Sequence, residues 1–521
     1  MYATYMSIKS FPRFGRLFIR PFPFFLILIG LLTAEAVAAE DSERAVNNPE
    51  KEYSHADDRE EWRIKPWQAD PRYWQYKGDP VLLLGGSDQD NLFNHPNIAS
   101  VGVEAHLDLL VSAGGNYIRN TMSSRDRLDP DSDLYNDINR YPFHFDEEAG
   151  LYDLDRWDEI YWQQFSDFLR MTAERDIIVQ IEIWDRWDYG EVWGGAYSAE
   201  AWSGHPFNPK NNMNYTEENT NLFEEKWENY PIFRTIPELD NSPQVLAYQE
   251  AFVARLLEMT FEYGHILYCI SNESTATEEW SRYWAHFIRR NADEAGVGIE
   301  LTEMWNEHDL THPMHRRTFD HPELYDFVDT SQNNLRDGQI HWNNMQAARQ
   351  MVADPPRPMN NNKIYGGSAL GGGVEEGTHK FWRNILGGVA SSRFHRPGPR
   401  DGFFSIGLNE LAQTQIRSAR MFLEKFDVFR AEPDVDSKLL SNREVNEAYL
   451  AFTPGEQYAV YFPDGGSVGL DVSGGSGNFT LQWLHISNRS WSAERSIQEV
   501  NTLELMAPGR GQWIALITGI Q

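Results

Sequence analysis

The sequence predicts an α/β fold: a (β/α)8 TIM barrel followed by a small C-terminal all-β sandwich. Three observations carry this. Eight short apolar runs alternate with helical runs over roughly 320 residues, within the usual range of a barrel. From about residue 445 the pattern changes to short β-type runs broken by glycine. The chain of 521 residues is long enough to bury a large core, with 41% hydrophobic and 13% aromatic residues.

The elements follow in chain order. Lys9, Arg13, Arg16 and Arg20 precede the short apolar run Phe24 to Leu32 and the small-x-small signal Ala36-Val37-Ala38, so residues 1–38 read as a signal peptide. Residues 39–61 are polar and read as a flexible lead. The catalytic barrel is placed at 62–430, a turn-rich link at Glu432-Pro433-Asp434, and the β-sandwich module at 440–521. The strand candidates are Val81–Leu84, Asn116–Arg119, Ile177–Trp184, Ile266–Ile270, Ile299–Met304, Phe327–Val328, Lys363–Tyr365 and Ala390–Phe394. Trp162, Phe165, Phe168, Leu169 and Thr172 recur at helical spacing, as do Leu246, Val253, Leu256 and Leu257. A doubly wound open sheet is the alternative, but Gly85-Gly86-Ser87-Asp88 does not match its phosphate loop. In the last stretch Tyr458, Val460 and Phe462 alternate with smaller residues, and Trp513 to Ile517 closes the module.

Composition narrows the function. Net charge is −32, and loss of residues 1–38, with four basic side chains and one acidic, moves it to −35. Such a chain repels nucleic acid and anionic lipid. Cys269 is the single cysteine, so neither a disulfide framework nor a thiolate zinc site is available. No cofactor and no metal site are expected. Asp129, Asp131 and Asp133 open like a calcium loop, but Leu134 and Arg140 stand where the loop needs Gly and Glu. His308, His312 and His315 make an incomplete ligand set. The expected location is secreted or periplasmic, with no membrane contact after cleavage.

In a barrel the chemistry sits at the C-terminal ends of the strands. There the sequence places carboxylates, amides, arginines and tryptophans: Asp88, Arg119, Glu182, Trp184, Asn272, Glu273, Trp305, Asp329 and His395. Paired carboxylates with aromatic platforms suit carbohydrate chemistry. Asn272-Glu273 is the sharpest signal, because the apolar run Ile266–Ile270 delivers it to a strand end; its bland counterpart is the cap and first turn of the next helix. The second carboxylate is read at Glu375 or Glu376, beyond Gly371-Gly372-Gly373, with an ordinary helix N-terminus as the rival reading. Glu182, Glu303 and Asp329 compete for that role.

Asn272-Glu273 and Asn116-Tyr117-Ile118-Arg119 resemble the clan A retaining glycoside hydrolases. His205-Pro206-Phe207-Asn208-Pro209, Phe381-Trp382-Arg383-Asn384, Ser392 to Pro397 and Tyr458 to Gly466 resemble more closely a bacterial apiosidase-like group with a C-terminal module named for collagen binding. The resemblance implies a secreted glycoside hydrolase acting on O-glycosidic bonds of a polysaccharide or oligosaccharide, retaining rather than inverting. Glu273 would be the acid/base, with a raised proton affinity, and a strand-seven Glu the nucleophile. Lys363-Ile364-Tyr365 has no such carboxylate, which departs from the clan pattern. The alternative is a non-catalytic glycan- or matrix-binding protein on a degenerate barrel.

Overall fold

The computed structural model describes residues 61–94, 102–123, 141–189, 199–220, 222, 231–366, 373–396, 406–475, 477–498 and 501–520. The signal peptide and nearly all of the polar lead lie outside them, as do the three aspartates at 129, 131 and 133 and Trp193.

Eight strands of the α/β part fall into two parallel sets: β1 (Leu83–Gly86), β2 (Tyr117–Thr121), β3 (Ile178–Asp185), β4 (Ile266–Asn272), β5 (Leu301–Thr302), β6 (Val328–Asp329), β7 (Met359–Asn360) and β8 (Ser391–Phe394). Six form one sheet in the order β5-β4-β3-β2-β1-β8, and β6 pairs with β7. The last strand therefore lies beside the first, with Ser391 opposite Leu83 and Phe394 opposite Gly86. Backbone hydrogen bonds join the sheet to the β6–β7 pair at both ends. Asp326 N donates to Leu301 O at 2.9 Å, Ala390 N to Met359 O at 2.8 Å, and Arg393 N to Asn361 O at 3.1 Å.

The helices cover the outer face of this sheet. The periodic run at 162–172 forms α1 (Glu159–Ala173), capped by Asp158, whose carboxylate accepts from Tyr161 N at 2.8 Å. The run at 246–257 forms α2 (Pro243–Thr260), with proline at its start. The next, α3 (Glu278–Ala295), has Thr277 as its cap and left-handed Gly296 at its end. Later helices are α4 (Gly338–Met351), α5 (Gly373–Leu386) and α6 (Glu410–Leu423).

Several expected strands move. The first strand, expected at Val81–Leu84, instead runs on through Gly85-Gly86, where a Cβ on Gly85 would collide with the Tyr117 carbonyl oxygen. The seventh strand is Met359–Asn360, and Lys363–Tyr365 beyond it is not a strand but makes isolated bridging contact, Ile364 with Phe394. A polar run, Asn360-Asn361-Asn362, hid this strand. An N-terminal sheet of three strands (Lys65–Trp67, Asp70–Tyr76, Asp79–Val81) and the hairpin Phe143–Asp146 with Leu151–Trp157 also escaped the pattern.

The C-terminal part holds an antiparallel sheet that includes Tyr449–Thr453, Gln457–Phe462, Phe479–His485 and Trp513–Gly519. A second sheet has three strands: Leu440–Ser441, Ser467–Asp471 and Thr502–Met506. Tyr458, Val460, Val468, Leu470, Leu505 and Ile517 fill the core between the two sheets. The expected link at Glu432-Pro433-Asp434 is partly strand, since Glu432–Pro433 pairs with Phe452 and Ala451. The other face of the larger sheet joins the main core, where Tyr461 stacks on Trp382 of α5 at 6.0 Å and Ser418 of α6 donates to Ile486 O.

Candidate active site

Glu273 is the residue after β4. Its backbone is left-handed, φ +53°, which a Glu adopts only where its surroundings fix it. The next helix is capped by Thr277, so Asn272-Glu273 is not a helix start. Three donors hold the Glu273 carboxylate. Lys363 Nζ reaches Oε1 at 2.7 Å, while Arg186 Nη2 and Trp187 Nε1 reach Oε2 at 3.2 and 3.0 Å. Lys363 also donates to Asn272 Oδ1. The Arg186 guanidinium lies 4.6 Å from the Trp187 ring centre. An ammonium and a guanidinium beside a carboxylate favour its charged form. Glu273 therefore stands among cations, where the sequence reading had foreseen neighbouring carboxylates and a retained proton.

A second, deeper network links the other strand ends. Arg119 on β2 grips Glu182 on β3 through Nε at 2.8 and 2.9 Å and Nη2 at 2.7 Å. Its other nitrogen pairs with Asp90, which Arg396 Nε also reaches at 2.6 Å. Arg119 thus bridges two buried carboxylates from neighbouring strand ends. His395 Nδ1 lies 3.3 Å from Arg119, and burial pushes the imidazole well down against the pull of Asp90. Asp329 accepts from Gln180, Asn362 and Ser331 N at 3.1, 3.1 and 2.8 Å, and burial raises it to about 6. Burial raises Glu303 to about 8 despite hydrogen bonds from Ser281, Met304 N and Ser271 N.

The remaining expected residues are not brought to Glu273. Trp184 is 1% exposed and packs among Phe252, Trp280 and Trp284, so it is core and not a sugar platform. Trp305 is equally buried, with its Nε1 on Thr318 at 2.7 Å. Trp187 is the tryptophan that reaches the carboxylate. Asp88 accepts from Leu408 N at 2.8 Å and sits 3.8 Å from His106. Glu375 is exposed in the first turn of α5. Glu376 turns to Arg383, to His379 at 3.3 Å and to Gly338 N at 3.0 Å. Burial would raise its carboxyl; the His379, Arg383 and Gly338 contacts outweigh that and hold it well below the usual range. The helix-start reading of this pair is the one that the geometry carries.

Sequence reasoning missed Lys363 and Arg186 as partners of Glu273. The available signal was a lysine opening a predicted strand, directly after three asparagines. His312 caps the short helix Pro313–Phe319 and His315 lies 2.9 Å from Glu307 O, which leaves no histidine ligand set. No group of three or more metal-ligating side chains is found among the described residues.

No family model matches the chain, and no curated protein does. Solved structures do. A glycoside hydrolase family 5 protein from Bacteroides vulgatus aligns with TM-score 0.59 at 15% identity, over 88% of this chain and 93% of the other. A further glycoside hydrolase aligns with TM-score 0.56 at 11% identity, over 88% and 97%. At such identities the likeness is one of fold: an α/β chain with a parallel-sheet core of the kind found in these barrel proteins.

Proposed function

We propose that the protein is an exported glycoside hydrolase that cleaves O-glycosidic bonds of a polysaccharide or oligosaccharide. In this reading, β1–β8 close into a (β/α)8 barrel within 62–430, and residues 440–521 form a docked sandwich module. One observation carries it. The strain-bearing Glu273, preceded by Asn272, sits just past the C-terminal end of the fourth parallel strand, where this architecture does its chemistry. Trp187, Arg186 and Lys363 surround it with the donors and the indole face that a sugar ring needs. The fold likeness to glycoside hydrolases supports the same class.

Carboxylates about 5 Å apart give retention and those about 6.5–9.5 Å apart give inversion. Retention is the expected outcome for this fold, and proton NMR of the first-formed anomer tests it. Activity on a panel of polysaccharides and aryl glycosides tests the proposal as a whole.

The second reading, a glycan-binding protein on a degenerate barrel, is favoured by Lys363. That ammonium stands just past β7, where the clan resemblance implies a nucleophilic carboxylate. Binding of glycans with no turnover across the panel would select it. Export is supported by the basic and apolar pattern of residues 1–38 alone; N-terminal sequencing of the mature protein, expected to begin after Ala38, tests it.

A further inference from the structure

We propose that Lys363 is a positioning residue that fixes Glu273 as a permanent carboxylate, so that Glu273 meets its substrate as a negative charge and not as a proton donor. The inference rests on reading Glu273 as the carboxylate at the reacting centre.

Lys363 comes from the segment after β7, ninety residues away in sequence, and its side chain is 1% exposed. Its hydrogen-bond partners among the described residues are Asn272 and Glu273. Of these only Glu273 carries charge. A buried ammonium without a counter-ion is costly, so the two charges hold each other in place. Arg186, from the turn after β3, adds a second cation on the other carboxylate oxygen. Trp187 adds an N–H donor, which also favours the charged form. Among the described residues, His308, after β5, and Tyr365, after β7, also feel the Glu273 charge. Burial pushes His308 down and Tyr365 up, which leaves both neutral near pH 7. The two charged side chains seen bonded to Glu273 among the described residues, Lys363 and Arg186, are both cations. The left-handed backbone at Glu273 fixes where the carboxylate points. A charge so placed suits the positive character that develops at an anomeric carbon as the glycosidic bond breaks.

The test has two arms on catalysis and one that needs none. Glu273→Gln should slow aryl glycosides with good and poor leaving groups alike, by about 10²–10³-fold. A proton donor's loss would spare the good leaving groups, and turnover of those near the wild-type rate would overturn the proposal. Lys363→Met should move the acid limb of the pH–rate profile up by about one unit or more, while Lys363→Arg keeps it in place. An unmoved limb in a folded Lys363→Met protein would overturn it too. The third arm is the carboxylate infrared band, wild type minus Glu273→Gln, followed against pH with folding checked by melting. The band should persist below the ordinary carboxyl range in the wild type and titrate higher in Lys363→Met. Protonation of Glu273 within or above the ordinary range overturns the proposal. If no glycoside is turned over, the hydrolase reading fails by itself and the infrared arm still decides this one.

Discussion

Two glutamates, Glu273 and Glu376, are held by basic side chains in much the same way, yet they belong to different kinds of place. Glu273 follows a strand, in a left-handed backbone, and takes its partners from the segments after β3 and β7. Glu376 lies in the first turn of α5 and takes His379 and Arg383 from its own helix, with Gly338 N from the start of α4. Arg383 in turn lies 5.4 Å from the ring of Tyr449 in the C-terminal sheet. Ion pairing alone therefore separates nothing here. What differs is the origin of the partners: a local set stitches helices and sheet together, while a set gathered from distant strand ends converges on one carboxylate.

The comparison breaks or sharpens under substitution. The largest effect should come from Glu273→Gln, with turnover down about 10²–10³-fold and the melting temperature little changed. Equal loss of turnover in Glu376→Gln would erase the distinction. Glu376→Ala should instead destabilise by about 3–5 kcal/mol in chemical denaturation, because Arg383 is left buried without its carboxylate, while kcat of the folded protein holds.

Glu303 supplies a pH test of the same interior. Its folded form keeps a proton that the unfolded chain releases above the ordinary value of 4.5. That contribution is complete below 4.5 and is lost as pH rises through about 8. Denaturation of wild type and Glu303→Gln across this window should show a difference of a few kcal/mol, on the order of the shift times 1.36 per unit. The smallest pair of effects divides two tryptophans. Trp187→Phe should cost about tenfold in kcat/KM through the lost hydrogen bond to Glu273. Trp184→Phe should cost about 1–2 kcal/mol of stability and leave KM unmoved.

The long apolar strands were legible because β3 and β4 are buried along their whole length and their sequences say so. Their legibility extended to Asn272-Glu273, delivered by β4 to its end. Strand β7 was not legible: Met359-Asn360 is two residues long, and its buried asparagine is satisfied by distant partners, accepting from Trp74 at 2.8 Å and donating to Gln180 at 3.2 Å. Gly85-Gly86 stands outside the expected strand Val81–Leu84 because nothing in the sequence announces a carbonyl of the next strand pressed against the Cα. Lys363 was missed for a related reason. A lone lysine is ordinarily a solvated residue, and its counter-ion is named by the fold, ninety positions earlier. Local pattern thus placed Asn272-Glu273 at a strand end, and tertiary pairing decided its company.

The pairing of β8 with β1 has a kinetic meaning. One edge of β1 has no neighbour until Ser391–Phe394 arrives, about three hundred residues later in the chain, and contacts so distant in sequence are paid for late in folding. A growing chain that stops short of Phe394 carries an open, apolar strand edge at Leu83 and Leu84, which is a template for pairing with other chains. The native sheet is attainable only once the chain extends through Phe394. Truncations that end before β8 should collect as aggregates, and those that end after α6 should still expose the aromatic face of Trp382 that Tyr461 covers in the full chain.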